Sequence, residues 1–200
     1  MKTKILSIIL LFSVITGFSK PTYATAINAD YTLLKEVKAV NKIEVRGNVE
    51  LFISDGPVEQ VKVYNKYYSE NALVQYNNGI LRITSYNAEK LIVWVSTDDL
   101  RAVTAYDNAE VRSFGKLSKI EFDVDLHNNA SASLNLNAYS ANVKLNDHAK
   151  AELSGNATEF GLTANVNTIV VKNDFKAEHF TDNKVNNVTA VKADDLTILE

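Results

Sequence analysis

Three triplets at near-regular spacing carry residue types that bind cations: Asp107-Asn108-Ala109, Asn128-Asn129-Ala130 and Asp147-His148-Ala149. Asp107, Asn128 and Asp147 offer side-chain oxygens of the kind that hold calcium outside cells. Asp107, Asp147 and His148 offer a mixed oxygen and nitrogen set for a transition metal, which needs three or four converging donors. His127 and His148 stand about one repeat apart but two columns out of step, and the glycine-rich calcium nonapeptide is absent. A solvated, hydrogen-bonded edge accounts for the same residues.

Glu110, Glu152 and Glu159 can supply the exposed carboxylates that glycoside hydrolysis requires, although any solvated face has the same composition. Ser131, Ser133 and Ser154 lack the strand-to-helix elbow that activates a serine nucleophile. Tyr64, Tyr67, Tyr68, Tyr76, Tyr86 and Trp94 crowd the N-terminal half. Aromatics of this kind serve binding surfaces, and they also fill strands. No catalytic, cofactor-binding or metal-ligating set is assigned, and the chain is expected not to be an enzyme and to carry no cofactor.

The elements that must position these residues read as strands. The chain has 200 residues, 46% hydrophobic and 22% charged, which suits a globular fold and not a disordered one. The net charge is −3, with no long basic or acidic run, so nucleic acid is not an expected partner. Cysteine is absent, which excludes disulfides, thiolate metal sites and a cysteine nucleophile. Lys2 and Lys4, the apolar run Ile5 to Phe18 and the small residues Thr22 and Ala24 predict a secretory signal over residues 1–24, cut after Ala24. The apolar run falls short of the roughly 20 residues that span a bilayer, so no membrane span is expected after cleavage. Residues 25–200 are expected to form a single domain.

Apolar and polar residues alternate through Lys42-Ile43-Glu44-Val45, Val49 to Ile53, Val61-Lys62-Val63 and Leu91 to Val95. Asn77-Asn78-Gly79 predicts a hairpin turn between Leu73–Tyr76 and Ile80–Ile83. Only Tyr31 to Val37 suggests a short helix. The triplets belong to a longer repeat. Val103, Val124, Val143 and Leu162 share one column, at offsets of 21, 19 and 19 residues. Ala105, Leu126, Leu145 and Ala164 share the next inward column. Asn108, Asn129, His148 and Asn167 fall at a corner, followed by Ala109, Ala130, Ala149 and Thr168, then Val111, Ala132, Ala151 and Val170. Ile43, Val45, Val49, Leu51 and Ile53 fit the same template, and Asn186-Asn187-Val188 repeats the corner once more. A period near twenty with two short strands per repeat predicts a solenoid, because one coil cannot bury its apolar face alone. The corner Asn residues suit left-handed backbone geometry, and their amides can pair between coils. A β-sandwich of hairpins also alternates but has no reason to keep the columns in register.

"VNKIEVRGNVELFI" (Val40 to Ile53), "NNGILRI" (Asn77 to Ile83) and "KLIVWVSTDDLRAVTAYDNAEV" (Lys90 to Val111) resemble the DUF2807 family, labelled a putative auto-transporter adhesin with a head GIN domain and common in Bacteroidetes-type bacteria. The resemblance covers about residues 37 to 180. It implies an all-β, right-handed parallel β-helix or solenoid-like fold with hairpin additions in the N-terminal half. Where the family often has glycine at the corners, this chain has Asp, Asn and His, which makes the edge more polar. An autotransporter needs a membrane barrel of about eight or more strands, and none is expected within these 200 residues. The expected function is that of an exported, non-enzymatic protein in the periplasm or on the outer surface of a Gram-negative cell, an adhesin or surface-binding module whose partner is a glycan or a protein. The alternatives are a carbohydrate-active enzyme on a β-helix and a purely structural envelope protein.

Overall fold

A computed structural model describes residues 31–34, 37–64 and 72–184, all in strands and their connections. The strands are β1 (Thr32–Leu34), β2 (Lys42–Gly47), β3 (Val49–Ser54), β4 (Gln60–Tyr64), β5 (Ala72–Asn77), β6 (Ile80–Ser85), β7 (Leu91–Ser96), β8 (Ala102–Tyr106), β9 (Glu110–Ser113), β10 (Leu117–Leu126), β11 (Ser131–Leu145), β12 (Lys150–Ala164) and β13 (Ile169–Lys184). The protein is all-β. The short helix expected near Tyr31 is instead a strand, β1, which pairs with β4.

All thirteen strands join one sheet. Its order β1-β4-β7-β3-β9-β11-β10-β8-β2-β6-β5 runs out along one wall, turns at β11 and returns along the other, while β12 and β13 extend from β11. The sheet curls so that the two walls bury their inner faces against each other. The register is that of the repeat. Val103 opposes Val124, Val124 opposes Val143 and Val143 opposes Leu162, all in parallel pairs. Val45 opposes Ala105, and Leu51 opposes Val111. Every one of these residues is buried. A fully buried Val or Leu side chain stabilises by about 1.5–3 kcal/mol, so each column is a substantial part of the folding free energy.

Three features depart from a uniform stack of two-strand coils. First, β10, β11, β12 and β13 run unbroken through a bend. At the bend two successive residues face outward, Ile120-Glu121, Tyr139-Ser140 and Thr158-Glu159, while Ala138 and Ala141 on either side point in. The alternation slips by one and the ladder continues. Second, the coils are not stacked in chain order. The coil formed by β2 and β3 lies between β6–β7 and β8–β9, because β2 pairs with β6 and β8 and β3 pairs with β7 and β9. Third, antiparallel pairs β1–β4, β4–β7 and β5–β6 finish the N-terminal end. The β5–β6 turn is the expected one, with Asn78 and Gly79 at φ 47° and 82°, the geometry of a tight two-residue hairpin.

Gly47 makes the corner of the first coil. Its φ is 84°, and a Cβ there would sit 2.1 Å from the Ser85 carbonyl oxygen of the next coil. Where the columns end, polar groups close them. Lys119 occupies the inward column of Ala138 and Ala157, with its side chain only 3% exposed. Its Nζ donates to the Asp98 carbonyl at 2.8 Å and lies 2.7 Å from Asp55 Oδ1. The second contact is ionic and not a directed hydrogen bond, since Oδ1 has no partner in hydrogen-bond geometry. Asp55 Oδ2 accepts the Ser118 N–H. Near β4, Glu59 accepts from the Thr97 hydroxyl at 2.7 Å and from the Val40 N–H at 3.3 Å.

The register predicts the outcome of two deletions. Removing residues 130–148 joins Asn129 to Ala149 and restores every column, because Ala132 opposes Ala151 and Val143 opposes Leu162. That variant should fold, remain β-rich by circular dichroism and melt at a lower temperature. Removing residues 130–139 breaks the register and should yield insoluble protein, although the deletion is smaller. The reverse result would show that the repeat does not govern folding.

Candidate functional site

The corners are built first, since they set where every outward side chain falls. Each closes with one hydrogen bond, from Ala109 N–H to Tyr106 O, Ala130 to His127, Ala149 to Asn146 and Thr168 to Asn165. The left-handed residues are Asp107, Asn128 and Asp147, at φ 62°, 58° and 60°. They lie one position before Asn108 and Asn129, which corrects the sequence expectation. Asp and Asn tolerate this region better than other non-glycine residues. At the fourth corner the equivalent residue is the β-branched Val166, which is not left-handed, and the Thr168 hydroxyl donates to Asn165 O at 2.7 Å.

The corner oxygens are spent on holding coils together. Asp107 N–H donates to Asn128 Oδ1 at 3.2 Å, and Asn128 N–H donates to Asp147 Oδ2 at 2.9 Å. Asn129 Nδ2 donates to Asn108 Oδ1 at 3.3 Å, the inter-coil amide pairing that the sequence suggested. His127 stacks on Tyr106 with ring centroids 4.6 Å apart, and its Nε2 is 3.0 Å from Asp125 Oδ1. Asp107, Asp147 and His148 are strung along the edge and do not converge; among the described residues no three His, Asp or Glu side chains are placed to share a metal ion.

The outer wall of β7, β3, β9, β11 and β12 is more distinctive. Reading across the strands, one ladder is Trp94–Phe52–Arg112–Ser133–Glu152 and its neighbour is Ile92–Glu50–Glu110–Ser131–Lys150. The tyrosines and carboxylates singled out in the sequence divide here. Glu110 and Glu152 share this wall, whereas Glu159 lies at the bend beside His179. Ser131 and Ser133 floor a depression of about 260 Å³ walled by Glu110, Arg112, Lys150 and Glu152. Ser154 is elsewhere, donating to Leu134 O at 3.4 Å. Tyr64 packs near Tyr31, Tyr76 donates to the Lys38 carbonyl and Tyr86 to Asp107. Tyr67, Tyr68 and the corner at Asn186 lie outside the described residues.

Phe52, Phe114 and Arg112 were not singled out by the sequence. Phe52 and Trp94 stack at 5.9 Å with planes 24° apart, and Phe114 leans on Trp94 at 4.6 Å. Trp94 was read as aromatic, but its partners follow from the pairing of β3 with β7, which the order of the chain conceals. Arg112 is held between Glu50 at 2.9 Å and Glu110 at 3.2 Å. Lys90 reaches Glu110 at 2.5 Å, and Lys150 reaches Glu152 at 2.6 Å. The hydrogen bond from Lys90 is the main reason that the Glu110 carboxyl is held below the ordinary carboxylate range; burial opposes the shift and Arg112 adds to it. Glu44 is lowered in the same way, first by Lys42 and then, against burial, by Arg82.

The sequence pattern of DUF2807, described as a putative auto-transporter adhesin, head GIN domain, matches residues 39–186. The chain belongs to this family. The corners of this chain are built from Asp, Asn and His, with Asp107, Asn128 and Asp147 taking the left-handed position. The fold is similar to that of a putative adhesin from Parabacteroides distasonis ATCC 8503, at 15% identity over 77% of each chain and a TM-score of 0.58. It is also similar to a putative adhesin from Parabacteroides merdae ATCC 43184, at 15% identity over 78% of each chain and a TM-score of 0.51. At these identities the likeness is one of fold. No curated protein matches the chain.

Two outcomes follow from the side-chain geometry. Because the oxygens of Asn128 and Asp147 already accept backbone N–H groups, EDTA should leave the melting temperature unchanged; a drop restored by calcium would make the edge a cation site, since a ligand bound only by the native state raises its stability. The second outcome is acid sensitivity. Glu110 has a lowered folded pKa, so its contribution is present above the unfolded value and is lost as pH falls through the folded value. Glu110→Gln should therefore lower the melting temperature at pH 7, and the gap from wild type should close as pH falls through and below the ordinary carboxylate range. A gap that stays constant with pH would contradict this.

Proposed function

We propose that this protein is an exported, non-enzymatic module of the cell envelope that displays rigid outward ladders to bind a surface glycan or protein on the outside of a Gram-negative cell. The observation that carries this reading is the wall on which aromatic and charged side chains stand outward at fixed strand spacing, with Phe52 and Trp94 half-buried and Phe114 60% exposed. Exposed apolar side chains grouped on a rigid surface are a mark of interaction sites. Membership of a family described as a putative adhesin head, and solved neighbours named putative adhesins, support the same reading. Among the described residues no helix is long and apolar enough to cross a membrane. Export is read from the leader, residues 1–24, with the mature chain starting at Thr25. The coils are read as right-handed, because parallel strands joined by a crossover wind that way in nearly all sheets.

Lys90 and Arg112 favour the ionised form of Glu110, which does not suit it to act as a general acid, a group that must carry a proton near neutral pH. The test of the whole reading is protease shaving of intact cells, with the chain followed by antibody and its N-terminus sequenced. Cleavage in intact cells, with Thr25 as the mature N-terminus, is the expected result. Protection in intact cells with release by osmotic shock would overturn the surface reading and leave a periplasmic structural protein. Release of sugar products from glycans by the purified protein would establish the alternative, a carbohydrate-active enzyme.

A further inference from the structure

The aromatic shelf and the serine-floored depression lie on one ladder, and we propose that together they bind a neutral oligosaccharide of hexopyranose units. The inference rests on the surface-binding reading and names its ligand class. The core does not require the shelf. Leu51 and Val93, on the same strands as Phe52 and Trp94, already fill the inward columns and are fully buried. Phe52, Trp94 and Phe114 face the other way. The Trp94 indole N–H donates to Ser54 Oγ at 3.1 Å, which fixes the ring as a support for Phe114, the aromatic of the shelf that stands exposed.

A pyranose ring has an apolar C–H face and a rim of hydroxyls. The first suits an aromatic face, and the second suits carboxylates and a guanidinium, which accept and donate hydrogen bonds stronger than neutral ones. Here the two kinds of group are adjacent. Phe52 opposes Arg112, and Arg112 opposes Ser133. Arg112 is pre-oriented by Glu50 and Glu110, so a ligand meets donors and acceptors already in place.

Charge selects a neutral ligand. Around the depression the carboxylates of Glu50, Glu110 and Glu152 are matched by Lys90, Arg112 and Lys150. An anionic or cationic group would gain nothing net from the depression. A protein partner fits less well, because the cores of protein interfaces are depleted of Lys, Glu and Asp, and here Glu110, Lys150 and Glu152 wall the depression. The length is also suitable. From Trp94 to Glu152 the ladder crosses four strand spacings of about 4.8 Å, roughly 19 Å in all, and an extended sugar chain advances by about one such spacing per unit.

Trp94 is the only tryptophan of the chain, so intrinsic fluorescence reports on the shelf directly. The mature protein is titrated to millimolar concentration with cellohexaose, maltohexaose and chitohexaose. A saturable change in Trp94 emission with at least one of them is expected. Phe114→Ala at the exposed rim and Ser133→Tyr in the depression should each weaken that binding at least tenfold while circular dichroism and melting temperature stay near wild type. No saturable response to any hexasaccharide, or wild-type affinity in a folded Phe114→Ala variant, would overturn the proposal. Should a purified surface protein perturb Trp94 where no sugar does, the glycan is wrong and the surface-binding reading survives. Sugar binding by a chain that shaving leaves intact would mean the opposite.

Discussion

Parallel backbone pairing between residues about one coil apart is the constraint on which the rest of the structure depends. Val103, Val124, Val143 and Leu162 oppose one another in succession in parallel pairs, and the spacing of adjacent strands, about 4.8 Å, then governs everything above and below the sheet. A side chain that points inward must fit between identical positions of the neighbouring coils. That is why Ala105, Ala109, Ala130, Ala149 and Ala164 recur among larger Val and Leu side chains and are buried. It is also why a glycine is needed at Gly47, where any side chain would strike the next coil's backbone.

The same constraint makes the outer surface regular. Outward residues of successive coils cannot drift relative to one another, so the wall is a fixed array in which the identity of a side chain changes and its position does not. Trp94 beside Phe52, Arg112 beside both Glu50 and Glu110, and two serines between two ion pairs are consequences of that register. A binding surface of this kind pays little ordering entropy on contact with a ligand, because its groups are already placed.

The corners show how polar chemistry can be consumed by architecture. Asp, Asn and His recur where cation ligands would be sought, yet the side-chain oxygens of Asn128 and Asp147 accept backbone N–H groups of the adjacent coil. A residue type that is suited to a metal is equally suited to a left-handed corner with an inter-coil hydrogen bond. Only the placement of the donors separates the two.

By itself the sequence determined the all-β class, the inward columns and the coil offsets of 21 and 19 residues, because alternation and a repeat period are local properties carried by each strand's own residues. It also determined the Asn78-Gly79 hairpin, since positive φ is a property of two adjacent residues. The tertiary structure decided the rest. That β2 and β3 slot between coils that follow them in the chain depends on which edges find partners, and no local pattern encodes that choice. The aromatic shelf depends on it in turn: Phe52 and Trp94 are distant in sequence and meet only through the β3–β7 pair. The left-handed position one residue earlier than expected, the unbroken bend through β11 and the use of Lys119 to close a column were settled by backbone closure and by where the stack ends, which are properties of neighbours in space.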